Sequence, residues 1–149
     1  MKFTSLLAYL LLSASVTWSG TALAASEQEM NARLEQLFSS HQNYHDFFNN
    51  LKAQIAAKNK PEVAKLVAYP ITVKLGGKKV QIKSQPQLIK NYDAIFTPDL
   101  VAAVSAQQYE DLFANDQGLM IGKGQIWFSG VCRDNQCKKS TVLITGINK

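Results

Sequence analysis

Two cysteines, two histidines and four prolines are all that 149 residues offer of those types. Each scarcity removes a class of chemistry. Two histidines and two cysteines, with no clustered spacing between them, do not make a zinc site. The cysteines, Cys132 and Cys137 in "CRDNQC", are too far apart for a thioredoxin-type pair. No cysteine precedes Cys132, so the N-terminal segment has no acylation site. After residue 24 no long apolar run with a basic stop appears, which argues against a membrane anchor. Acids are missing from one long stretch: residues 52–90 hold nine lysines and a single acid, Glu62.

What is present at the start reads as an export signal. Lys2, the run "LLAYLLLSASV" and the small residues of Ala22-Leu23-Ala24 predict a signal peptide over 1–24, removed on export. The mature chain, 25–149, is then one domain with room for a core, periplasmic or secreted. An oxidising compartment predicts a Cys132–Cys137 disulfide, a structural staple of a strand–loop–strand hairpin. Closing so short a loop is worth about 2 kcal/mol in the chain-entropy model. Export also disfavours nucleic acid as the partner of the basic segment. The lysines are either a solvated face or a docking surface for an acidic protein partner; a homodimer is a further option.

Along the chain, "SEQEMNARLEQLFSS" has helical composition with an acidic start. "YHDFFNNLKAQIAAKNK" puts Tyr44, Phe47, Phe48, Leu51 and Ile55 on one stripe. "NKPEVAKLV" restarts a helix at Pro61, with Val63, Leu66 and Val67 as its buried positions. The period then drops to two. Ile71, Val73 and Leu75 alternate with Thr72 and Lys74, and Val80 and Ile82 alternate with lysines and Gln81. Gly76-Gly77 supplies the positive φ a two-residue hairpin needs. Counting out from that turn opposes Val73 to Val80, Ile71 to Ile82, and Lys74 to Lys79. The lysines either protect a sheet edge or receive an acidic partner. Lys78 and Lys83 complete the basic face. "SQPQLIKNYDAIF" predicts a capping box from Ser84 and Gln87 and one helix carrying Leu88, Tyr92 and Ile95. Thr97-Pro98-Asp99 caps a short helix. Four strands follow, around "DLF", "GLMIG", "QIWFSGVC" and "KKSTVLITGI".

Within these strands Gly122-Lys123-Gly124 invites a phosphate-loop reading. Such a loop is followed by a helix and a Lys-Ser/Thr pair, whereas "QIWFSGV" is a strand. The glycines predict a hairpin corner.

"YPITV", "YDAIFTPDL" and the "GKGQIWF" stretch, with helices first and antiparallel strands last, resemble the NTF2-like superfamily of SnoaL and ketosteroid-isomerase type. The resemblance covers the mature chain. It implies an α+β fold with N-terminal helices packed into a strongly curved antiparallel sheet, a cone whose opening holds a ligand in some members. On that reading Tyr44, Phe48, Tyr92, Met120, Trp127 and Phe128 line or border the cone. Simple core packing is the competing role for each. Asp93 is the candidate catalytic carboxylate, with surface pairing as its alternative; Asp46, His41 and His45 lie on the opposite helix. The two histidines, four apart, share a helix face, but Gln42 stands where a metalloprotease has glutamate. No metal and no cofactor is implied.

Two functions of different class follow, with a structural or envelope-maintenance domain without a discrete ligand as a third reading. The first is a non-catalytic periplasmic protein-binding module, for example an inhibitor or immunity protein against an envelope-acting toxin. The second is a small-ligand-binding or isomerase/dehydratase-like enzyme that uses the cone pocket. Whether the chain is an enzyme stays open, with the absence of a convincing catalytic set favouring the first.

Overall fold

The expected aromatic stripe is the centre of the molecule. In the computed structural model, which describes residues 21–148, Tyr44, Phe47, Phe48, Leu51 and Ile55 are the buried face of helix α2, Gln42–Ala56. They share one cluster with Met30 and Leu34 of α1 (Thr21–Phe38) and with residues as distant as Ile144 and Ile147. The expected signal peptide falls largely on residues outside those described.

The hairpin forms with the register counted from its turn. β1 (Ile71–Leu75) pairs with β2 (Lys78–Ile82), setting Ile71 against Ile82, Val73 against Val80 and Lys74 against Lys79. Gly76 and Gly77 both have positive φ, +55° and +79°, which residues with a Cβ avoid. Ile71, Val73 and Ile82 are buried, so the apolar face of the hairpin rests on the core and the other face is left to water.

The remaining strands are β3 (Phe113–Asn115), β4 (Gly118–Ile121), β5 (Ile126–Cys132) and β6 (Ser140–Ile147). They form an antiparallel four-stranded sheet in chain order. The α+β class is therefore realised, but not as one strongly curved sheet. β1 and β2 form a separate two-stranded sheet. The flank of β6 is occupied instead by residues 66–68: Ala68 N donates to Ile144 O at 2.9 Å, and Ile144 N donates to Leu66 O at 2.8 Å. Val67 thus makes a one-residue parallel bridge, and the helix expected to include it, α3, ends at Lys65 (Lys60–Lys65).

Three further expectations need correction. The helix after the hairpin is broken into α4 (Gln85–Lys90) and α5 (Tyr92–Ile95), with Asn91 between them donating its side-chain amide to Gln87 O. The capping box is not closed either. Ser84 makes no side-chain cap bond, and the Gln87 side chain accepts from Lys83 N at 2.8 Å rather than from Ser84 N. Nor does Thr97 cap α6 (Pro98–Ala106) through its hydroxyl; there proline pre-sets the first turn.

The Cys132–Cys137 disulfide is present, in a different place from the expected strand-to-strand staple. Cys132 ends β5 and its strand partner is Ser140, so Cys137 lies inside the connecting loop. Asp134 organises that loop, its carboxylate accepting from the backbone N–H groups of Gln136, Lys138 and Lys139. Gly122-Lys123-Gly124 is the corner between β4 and β5. Lys123 N donates to the Gln125 side chain, and Gly122 N to that of Gln107. At Gly118 a Cβ would stand 2.5 Å from the Phe128 carbonyl oxygen, so only glycine lets β4 start so close to β5.

Candidate functional site

The basic face is built by strand alternation. Burial of Ile71, Val73 and Ile82 turns Thr72, Lys74, Lys79 and Gln81 outward. Lys74, Lys79 and Lys83 are exposed on that face, while Lys78, also exposed, pairs with Leu75 on the Val73–Val80 side, contrary to the expected four-lysine face. Three lysines elsewhere are engaged, whereas Lys58, Lys90, Lys123, Lys138 and Lys139 share with these four the lack of a described carboxylate partner. Lys60 pairs with Asp93, Lys65 with Glu62, and Lys52 donates to Gln107 O. No described carboxylate pairs with any of the four hairpin lysines. Lys74 and Lys79 face each other directly across the ladder. Such a pair costs a few tenths of a kcal/mol to about 1 kcal/mol in a water-like medium. A carboxylate brought between them removes that penalty.

The six aromatic and methionine positions expected around a cone do not converge on one cavity. Tyr44, Phe48 and Phe128 are in the core. There the Phe128 ring stacks on Phe47 at 5.0 Å and meets Tyr44 at 6.4 Å. The Tyr44 hydroxyl accepts from Gly130 N at 3.1 Å. Met120 and Trp127 oppose each other across β4 and β5, on the sheet face away from Leu119 and Phe128. Phe113, which sequence reasoning did not single out, continues that row. It is 45% exposed, opposes Met120, and lies edge-on to Trp127 at 6.2 Å.

Of the six, Tyr92 lines a concave site. A groove of about 520 Å³ runs between the end of α2 and the start of α6. Its floor is Ile55, Tyr92 and Phe96, the two rings stacked at 4.6 Å. Pro98, Val101 and Ala102 form one wall, and Lys58, Lys60 and Asp93 line its polar part. The Asp93 side chain is 82% exposed and holds the Lys60 ammonium at 2.7 Å, a surface ion pair of the kind foreseen as the alternative to catalysis. The Lys60 nitrogen also sits 5.4 Å from the Tyr92 ring centroid. Beneath, the Tyr92 hydroxyl is buried with no hydrogen-bond partner. Burial, reinforced by the Asp93 charge, pushes its pKa up, so it stays protonated.

The histidines are separately engaged. His41 Nδ1 contacts the Glu35 carboxylate, which also accepts from His41 N at 2.9 Å. These bonds hold Glu35 below the usual carboxylate range, the backbone one being the larger influence. His45 lies 3.7 Å from Glu27 and packs edge-on against the Tyr109 ring at 4.5 Å. Asp46 accepts from the Gln42 side chain. Among the described residues no three His, Cys, Asp or Glu side chains gather as a metal site, and no helix is long and apolar enough to cross a membrane. No protein-family model, curated protein or solved structure matches the chain.

Proposed function

We propose that the chain is a non-catalytic, exported protein-binding module that receives an acidic protein surface on the lysine face of β1 and β2. An inhibitor or immunity protein against an envelope-acting toxin is the form this function takes in the periplasm. The observation that carries the reading is the Lys74–Lys79 pair: two exposed like charges directly opposed, with no described acid to neutralise either. A fixed positive face of this kind speeds encounter with an acidic partner and sets its orientation.

Lys79→Glu tests it. Within the hairpin this change converts a like-charge pair into an opposite-charge pair, so stability should hold or rise by a few tenths of a kcal/mol. Docking should weaken and lose much of its salt dependence. Affinity capture from the periplasm with wild type and variant, read with the partner's salt dependence, gives the result. A partner retained equally by Lys79→Glu and by Lys74→Glu removes the basis of the proposal.

A second reading has one observation in its favour: Tyr92 and Asp93 border the same apolar groove. The NTF2-like resemblance belongs with this small-ligand or isomerase/dehydratase-like reading, which places the chemistry on Asp93. Asp93→Asn should then abolish turnover. Turnover unchanged in that variant ends the catalytic version.

A further inference from the structure

The groove over Ile55, Tyr92 and Phe96 has features that core packing does not explain. Its volume, about 520 Å³, falls within the range of small-molecule sites. Apolar side chains make its floor and one wall, while its charge is confined to Lys58, Lys60 and Asp93. Lys58 follows the last turn of α2 in a left-handed conformation, φ +52°. No described carboxylate pairs with it. Lys60 shares its ammonium with Asp93, which is mostly in water and so releases it at little cost. The three groups together leave one net positive charge beside an apolar trough, complementary to a molecule with an apolar chain and one negative end.

We propose that this groove binds one medium-chain fatty carboxylate, its chain laid over Ile55, Tyr92 and Phe96 and its head held by Lys58 and Lys60. The volume suits a single chain rather than a two-chain lipid. This site is independent of the hairpin lysines. It shares its location with the second reading above but requires no turnover, so a failed catalytic assay leaves it standing.

The full exported chain is titrated calorimetrically with octanoate, decanoate and dodecanoate below their micelle concentrations, and with decanol. Each added methylene should tighten binding about fourfold until the groove is filled. Lys58→Gln/Lys60→Gln should weaken decanoate about tenfold and leave decanol unchanged. Ala102→Trp changes an exposed position on α6, so the fold should persist, as circular dichroism will check. The new ring should cover the groove and abolish binding of all four probes. Lack of chain-length dependence, equal binding by Ala102→Trp, or a lysine effect that extends to decanol would overturn the proposal. So would binding to anionic phospholipid vesicles with none to the monomeric carboxylates.

Discussion

Replacing Tyr44 and Tyr92 by phenylalanine, one at a time, deletes one oxygen from each of two rings that are both only 4% exposed. The two changes should move stability in opposite directions. The Tyr44 hydroxyl accepts from Gly130 N at 3.1 Å. The pairing of β4 with β5 runs only from Leu119–Phe128 to Ile121–Ile126, so Gly130 lies past the end of β4 and Tyr44 supplies the acceptor a neighbouring strand would have given. Its loss should cost about 1–2 kcal/mol, the net bond plus part of the penalty for an unpaired N–H. Gly130 is half-buried, and partial access of water keeps the figure at that level. Tyr92 differs because its hydroxyl is buried without a partner. Removing it relieves a desolvation cost of about 1–3 kcal/mol, so Tyr92→Phe should stabilise by about 1 kcal/mol. The gap of about 2–3 kcal/mol corresponds to roughly 6–15 °C in Tm for a domain of this size. Urea and thermal unfolding followed by circular dichroism will measure it. A loss in Tyr92→Phe as large as in Tyr44→Phe would refute the reasoning, because it would mean that the Tyr92 oxygen has a stabilising partner such as a trapped water.

The double variant Cys132→Ser/Cys137→Ser should lose about 2 kcal/mol while the β5–β6 ladder stays intact; amide exchange that spreads beyond the loop would contradict its placement outside the core. Asp134 is held below its usual pKa, chiefly by the Lys138 N–H and also by those of Lys139 and Gln136. The loop order it provides is therefore complete above the ordinary aspartate range and is lost as pH falls through the lowered value. The amide resonances of residues 136, 138 and 139 should move together at that lower pH, and movement at the ordinary value would disprove the link. Burial pushes Tyr69 and Tyr109 up to about 12. Both stay neutral in the folded state while the unfolded chain ionises near 10, so stability should be whole below about 10 and fall as pH rises towards about 12. An alkaline unfolding curve without that decline would show these hydroxyls to be solvated.

The hairpin was legible because two signals agreed: Gly76-Gly77 fixed the turn and the period of two fixed the faces, so Lys74 met Lys79 as counted. The stripe of α2 was legible for the same reason, with five apolar side chains at helical spacing. Local chemistry read alone was less reliable. Ser84 and Gln87 have the spacing of a capping box, yet Gln87 takes the N–H of Lys83, a choice that spacing does not encode. The local pattern makes Val67 helical because nothing nearby announces that Ile144, far along the chain, will bridge to it. The candidate site suffered most. Ile126, Trp127 and Phe128 are consecutive apolar residues, so alternation does not tell that Phe128 turns inward and Trp127 outward. Phe113 sits in a three-residue strand too short to show a period. The groove joins residues 55–60 to residues 92–102, a meeting set by how α2, α5 and α6 pack rather than by any motif.

The separation of β1 and β2 from the four-stranded ladder has an evolutionary consequence. Because the lysine arm is stitched by main-chain bonds to itself alone, its outward residues can be exchanged without re-registering any other strand. Substitutions can therefore accumulate on this arm while the scaffold beneath it keeps its register.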